Sequence, residues 1–228
     1  MAQFHFVDAH ERLVAQLIEK YPIDEAMSLA VGGFYQKIGT IEADILRYVG
    51  LTNGTSVIDL GCGSGRLASV LGQSMNVEFT GIDIVQSLLD YAKAKAPSNY
   101  RFLLHRELNI PAPNNQTDFV SAFSVFTHLL HAETYIYLQD IKRVLKKGGK
   151  LVFSFLEFSF EAHWAIFEAT VDAQKNHSNL PVNMFIERST IDTWCRKLGY
   201  KVEAYIPGSE APWRGEPLGE STAIVRNA

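Results

Sequence analysis

Residues Val57 to Arg66 read Val-Ile-Asp-Leu-Gly-Cys-Gly-Ser-Gly-Arg, and no other stretch of this 228-residue chain constrains its fold as tightly. Val57 to Leu60 lacks polar/apolar alternation, as expected of a strand buried on both faces of a parallel sheet. Gly61, Gly63 and Gly65 have no Cβ, so the backbone can turn sharply there and let a ligand approach. Arg66-Leu67-Ala68-Ser69-Val70-Leu71 then predicts a helix whose first N–H groups point back at the turn. A second apolar strand, Glu78 to Ile82, brings Asp83 to the carboxyl edge of the sheet, where open α/β sheets bind ligands. A carboxylate there can accept hydrogen bonds from both hydroxyls of a ribose. Asp59 and Asp83 around one glycine turn therefore predict a pocket for a ligand with a ribose and a charged end.

The dinucleotide fingerprint has the spacing G-x-G-x-x-G. Here the spacing is G-x-G-x-G, and Asp59 stands two residues ahead of Gly61. A carboxylate so close opposes a pyrophosphate and favours an ammonium group. On these residues the chain resembles the class I S-adenosylmethionine-dependent methyltransferases, whose first motif is similar to Asp59-Leu60-Gly61-Cys62-Gly63-Ser64-Gly65. Asp118 to Leu129 resembles the fourth strand and following loop of the small-molecule branch. Arg143 to Phe153 resembles the helix, turn and strand after it. The similarity covers roughly residues 38 to 158, and the tail loosely.

The resemblance implies S-adenosylmethionine as cofactor. It implies an α/β fold: a doubly wound, seven-stranded, mostly parallel Rossmann-like sheet with N-terminal helices and a C-terminal antiparallel hairpin. Gly61 and Gly63, with Cys62 between them, would line the methionine end, with Asp59 behind. Asp83 would hold the ribose, Ile84 would pack beside the adenine, and Phe123 at the end of the fourth strand would complete the wall. Two positions depart from the family pattern. Lys147 stands where a proline usually precedes the paired glycines. Arg106 stands where an acid usually meets the adenine amine, and Glu107, one residue on, takes that place with Leu108 beside it.

Bulk properties narrow the partners. A hydrophobic share of 47% and a charged share of 20% are ordinary for a soluble globular protein. A net charge of −4 gives no electrostatic footprint for nucleic acid. No run of about eighteen apolar residues predicts a membrane span. Met1 to Asp8 lacks the basic start and apolar core of a signal peptide. Two cysteines, Cys62 and Cys195, make no disulfide framework, so the expected location is cytoplasmic. A small-molecule acceptor is expected, with the protein a monomer or a homodimer.

Along the chain, a single domain is expected. Residues 1–50 form a helical lid, with Tyr35 as a lid contact on the cofactor. Residues 51–158 form the alternating cofactor-binding core. Residues 159–188 form an acceptor-side insertion. Residues 189–228 supply a helix, Ile191 to Leu198, and a hairpin of Tyr200 to Ile206 with Ser221 to Arg226. Within the insertion, Phe160, Trp164 and Phe167 recur at i, i+4 and i+7, the spacing of a buried helix face. The loop Pro207 to Gly219 carries Trp213 and Arg214 at its tip.

A sulfonium is already a good electrophile, so methyl transfer asks the protein mainly for proximity and orientation. A base is needed where the acceptor is a weak nucleophile such as a hydroxyl. His128 is the first candidate, because it follows the fourth strand and titrates near neutral pH. A capping role is its alternative, and His131 is a second candidate. In the superfamily the chain resembles, an Asn/Asp-Pro-Pro-aromatic run goes with amino methylation of adenine or glutamine, a cysteine after a proline with cytosine C5 methylation, and strand-end acids with metal-dependent catechol-type transfer; Phe123-Ser124-Val125-Phe126 offers none of these. The expectation is methyl transfer to oxygen or nitrogen of a small molecule. The alternatives are a related protein that binds the cofactor without catalysis and a nicotinamide-dependent oxidoreductase, which Asp59 and the glycine spacing disfavour.

Overall fold

The computed structural model describes residues 7–176 and 182–228. The first six residues of the expected lid, and residues 177–181 of the expected insertion, lie outside the described residues. Three helices open the chain: α1 (Val7–Lys20), α2 (Ile23–Leu29) and α3 (Tyr35–Tyr48). Strands and helices then alternate as β1 (Ser56–Leu60), α4 (Arg66–Ser74), β2 (Glu78–Asp83), α5 (Gln86–Lys95), β3 (Arg101–Leu104), β4 (Thr117–Ala122), α6 (His131–Val144) and β5 (Leu145–Phe155). The chain ends with α7 (Trp164–Lys175), α8 (Arg188–Leu198), β6 (Tyr200–Ile206) and β7 (Ser221–Asn227).

The seven strands form one sheet in the order β3-β2-β1-β4-β5-β7-β6. β1 to β5 pair in parallel, and β7 pairs antiparallel with both β5 and β6. The order reverses between β1 and β4, which makes the carboxyl ends of those strands a topological switch point.

The apolar runs of the strands reflect burial on both faces. Val57, Val152 and Ile224 pack on one side with Ile45, Leu46, Leu67 and Leu71 of α3 and α4. Ile58, Leu151 and Val225 pack on the other with Leu138, Ile141, Ile191 and Cys195 of α6 and α8. Neighbouring residues along a strand thus serve opposite cores, so each run needs an apolar residue at nearly every position.

Three expectations need correction. The Phe160, Trp164 and Phe167 spacing does not mark a buried helix face, because no residue of α7 is buried and Trp164 is 45% exposed. The helical phase is broken: a 3-10 turn, Glu161–His163, separates Phe160 from α7. Phe167 instead packs against Phe158 and Phe185, which stack with centroids 4.5 Å apart, Trp164 packs against Phe158, and Phe160 meets His163 edge-on. Trp213 does not sit at an open loop tip either. It is buried, packs against Tyr48 and donates Nε1–H to the Glu216 carbonyl. The predicted turn between α6 and β5 is absorbed into the strand, which starts at Leu145 and carries an irregular register opposite Thr117 and Phe119.

A buried polar network ties the last strands to the insertion. Glu157, fully buried just beyond β5, accepts from Arg188 Nη2 and Ser221 Oγ on Oε1, at 2.8 and 2.6 Å. Its Oε2 accepts from Arg188 Nε and Ser159 Oγ, both at 2.9 Å. Burial works against this charge, but these donors outweigh it and hold the carboxyl below its ordinary value. Removing one member of such a pair leaves the other uncompensated. Glu157→Ala is expected to lose about 3 kcal/mol in urea denaturation. A loss below about 1 kcal/mol, the size of a surface pair, would show that Arg188 and Ser221 repartner without it.

Candidate active site

The site grows from the turn after β1. Gly61 N–H and Cys62 N–H both donate to the Ile82 carbonyl, at 2.8 and 3.0 Å, so the turn stays bonded to β2. Gly61 and Gly63 adopt φ of 69° and 55°. A Cβ on Gly61 would strike Val125 Cγ2, and one on Gly63 would strike Val31 Cγ1. The glycines are therefore required both by backbone conformation and by close approach.

Asp83 is buried and accepts three backbone donors: Gly63 N–H on Oδ2 at 2.8 Å, and Ile84 and Val85 N–H on Oδ1 at 2.7 and 3.0 Å. Burial raises its carboxyl, and the Val85 and Gly63 donors oppose that rise. Oδ2, with one donor, keeps a further lone pair for a ligand, while Ile84 and Val85 occupy both on Oδ1.

Asp59 is buried, and its Oδ1 accepts from Ser121 Oγ at 2.7 Å. Burial, reinforced by the nearby Glu42 carboxylate, pushes its carboxyl up to about 8. Glu42, also buried and raised by that burial, is held by Arg66 through Nε and Nη2 at 2.8 and 2.7 Å. Arg66 Nη1 donates as well to the Val31 carbonyl at 2.6 Å, and Ser64 Oγ to the Met27 carbonyl at 2.9 Å. These bonds pin the N-terminal helices onto the glycine turn.

A cavity of about 310 Å³ opens over this edge of the sheet. Of the residues expected from sequence, Asp59, Gly61, Cys62, Gly63, Asp83, Ile84, Phe123 and His128 all line it. Three do not. Tyr35 braces the turn from behind, its hydroxyl donating to the Ser64 carbonyl at 3.0 Å. Glu107 is exposed and accepts from Asn109 Nδ2, while Leu108 packs against the main core. His105 lines the wall on that side, and the Arg106 guanidinium turns away to the Ile84 carbonyl and Glu11. His131 also stays outside, held at the start of α6 by the Phe185 carbonyl at 3.0 Å.

Sequence reasoning missed Glu42 and Arg66, and also His10, Val31, Gly32, Ser124 and Glu220, all on the cavity wall. Arg66 had a signal, since it opens the helix after the turn. Glu220 had none, because it comes from the far end of the chain.

The residues present fit an S-adenosyl ligand. The glycine turn offers room, Asp83 has an acceptor oxygen that would suit a ribose hydroxyl, and Asp59 a carboxyl that would suit an ammonium. The relatives agree. Residues 58–153 match the family model described as a methyltransferase domain, and residues 7–101 match that of protein-L-isoaspartate(D-aspartate) O-methyltransferase. The domain match and the fold together support a class I S-adenosylmethionine-dependent methyltransferase.

The ubiquinone biosynthesis O-methyltransferase of Nitrosococcus oceani is 26% identical over 73% of this chain and 72% of its own. The biotin biosynthesis bifunctional protein BioHC of Cellvibrio japonicus is 25% identical over 78% of this chain, which spans 33% of that protein. The magnesium protoporphyrin IX methyltransferase of Synechocystis, solved with bound S-adenosylhomocysteine, superposes with a TM-score of 0.67 at 16% identity. That match covers 98% of this chain and 96% of the other. Among the described residues, no group of His, Cys, Asp and Glu is arranged to hold a metal ion.

The raised Asp59 carboxyl carries a proton at pH 7 in the free protein, and a bound ammonium restores its charge. S-Adenosylhomocysteine binding at pH 7 is therefore expected to release about one proton. Affinity should rise with pH until about 8. Calorimetry in two buffers of different ionisation enthalpy reads this directly, and Asp59→Asn should abolish the difference. Equal heats in both buffers would refute it. Asp83→Ala is expected to weaken S-adenosylhomocysteine by about tenfold or more, since a charged acceptor is lost.

Proposed function

We propose that this protein transfers the S-adenosylmethionine methyl group to an oxygen or nitrogen of a small-molecule acceptor. One observation carries the reading: the cofactor-type residues and His128 line the same cavity. The residues suited to the adenosyl and methionine ends come from β1, β2 and the turns after them. His128 comes from the loop after β4, on the other side of the switch point, where the methyl group would emerge. The small-molecule class draws support from relatives whose names specify ubiquinone biosynthesis and magnesium protoporphyrin IX. Among the described residues no helix is long and apolar enough to cross a membrane. The buried free thiols Cys62 and Cys195 suit a reducing compartment, and a cytoplasmic location follows as part of the proposal.

His128 is half-buried, with Nδ1 3.4 Å from the Val182 carbonyl. Burial lowers its pKa from the ordinary histidine value, with the Val182 carbonyl and the Glu220 charge opposing. The imidazole is therefore neutral at pH 7 and able to take a proton from an acceptor hydroxyl or ammonium as the methyl group is transferred. Proximity and alignment supply the rest of the acceleration.

Calorimetry with S-adenosylmethionine, S-adenosylhomocysteine and NAD tests the cofactor. Binding of the first two without NAD supports the proposal, and NAD binding alone would sink it. A methyl-transfer screen over phenols, carboxylic acids and amines tests the reaction. Cofactor binding with no turnover on any of them would favour a non-catalytic binding protein. His128→Gln should leave S-adenosylhomocysteine affinity unchanged and lower turnover by roughly a hundredfold or more. In the wild type the acid limb of turnover should fall below pH 6.5, the ordinary histidine value, because protonation removes the base. An unchanged limb in His128→Gln would show that another group is the base.

A further inference from the structure

The wall of the cavity holds a carboxylate that the cofactor reading does not use. Glu220 lies immediately before β7 and lines the cavity beside Ser124 and His128. Ser124 Oγ donates to Glu220 Oε1 at 3.0 Å. Ser124 itself sits at a left-handed φ of 55°, with its N–H held by Ser154 Oγ at 2.6 Å. Glu220 Oε2 is buried, and among the described residues it has no hydrogen-bond partner. A buried carboxylate oxygen without a donor is costly, and native structures keep such groups for a reason.

The sheet order says which side Glu220 approaches from. Asp59 and Asp83 rise from β1 and β2, on one side of β4. Glu220 rises from β7, two strands beyond β4 on the other side. It reaches the cavity by bonding to the residue that follows Phe123 at the end of β4. The cofactor-type residues thus flank the switch point on one side, with Glu220 and His128 on the other.

Its placement is also built. The adjacent Ser221 Oγ is bonded to the buried Glu157. On the other side of Glu220, the Gly219 carbonyl faces His163 Nε2 at 3.0 Å, while Gly219 N–H donates to the Gly208 carbonyl at 3.0 Å. His163 is buried, and its Nδ1 accepts Glu157 N–H at 3.0 Å, which leaves Nε2 as the donor to Gly219. A loop end held at both neighbours presents one side chain in one place. The fixed cation of this region is already engaged, since Arg66 is committed to Glu42 and Val31.

We propose that Glu220 Oε2 receives a hydrogen-bond donor of the acceptor at the point of methyl transfer, selecting amines and hydroxyl compounds over acceptors that present an anion there. The inference rests on the proposed methyl-transfer function and adds the residue that reads the acceptor. Glu220 receives a hydrogen other than the one transferred, a second N–H of an amine or the O–H of a neighbouring hydroxyl, and so orients the nucleophilic atom toward the methyl group, while His128 takes the proton that leaves.

Sinefungin, in which a carbon-bound amine replaces the sulfonium methyl, places a donor at that point without any acceptor. S-Adenosylhomocysteine places nothing there. Calorimetry with both ligands on the wild type and on Glu220→Gln is the test. The expected result is a tenfold or greater loss of sinefungin affinity, with S-adenosylhomocysteine affinity changed less than twofold. Parallel loss of both ligands would place Glu220 at the methionine end that they share, and would overturn the inference. No loss of either would overturn it too. Glu220→Asp, which keeps the charge but withdraws it by one methylene, is read the same way if the glutamine variant does not fold. A wild type that binds neither ligand refutes the cofactor reading and this inference together; failure with S-adenosylhomocysteine binding intact refutes the inference alone.

Discussion

The hydrogen bond from Gly63 N–H to Asp83 Oδ2 is the constraint on which the rest of the site depends. It joins the turn after β1 to the end of β2 through one buried carboxylate. That carboxylate also accepts the first N–H groups after β2, so the two loops hold each other. Burying the charge is unfavourable by itself, and three backbone donors offset the cost. The arrangement also explains the glycines. Only a residue without Cβ can present its N–H to Asp83 at the positive φ of Gly63 with Val31 against it, and Val125 leaves no more room at Gly61.

A second consequence is electrostatic. Asp59, Glu42, Asp83 and Glu220 crowd one cavity with a single guanidinium, that of Arg66. Burial and mutual repulsion raise the carboxyls of Glu42 and Asp59, so this edge of the sheet stores unfavourable charge that a cationic ligand relieves. A pyrophosphate would add to the repulsion. Exclusion of a dinucleotide would therefore fall to the whole wall rather than to the spacing of the glycines alone.

The central strands were legible in the sequence because burial on both faces keeps their middles apolar or small, as Val57-Ile58 in β1, Phe79 to Ile82 in β2 and Phe119 to Ala122 in β4 show. Asp59 and Asp83 were legible because their places follow from where those runs stop. The adenine side was not. β3 is a four-residue edge strand, half-exposed along its length, so its residues carry no burial pattern to set the register of the loop beyond. Arg106 also departs from the expected charge there, and its guanidinium turns to Glu11 of α1, a contact no local pattern encodes. The aromatic spacing of the insertion misled for a related reason. Periodicity assumes one continuous helix, and the 3-10 turn before Trp164 breaks the phase.

Glu220 shows a different limit. It follows a loop rich in proline and glycine, where neither period nor motif marks a residue, and its partner Ser124 is 96 positions away in the chain. What brings them together is the antiparallel insertion of β7 between β5 and β6, which folds the chain end back across the switch point. Glu157 is the fulcrum of that return. Just beyond β5, it holds Arg188 at the start of α8 and Ser221 at the start of β7, so a single buried carboxylate sets where the last loop meets the cavity. The part of the site around Asp59 and Asp83 is thus built from the turns after β1 and β2, which the N-terminal helices brace through Met27, Val31 and Glu42. The part around Glu220 depends on contacts that span longer stretches of the chain, to Ser124 directly and to Glu157 through Ser221.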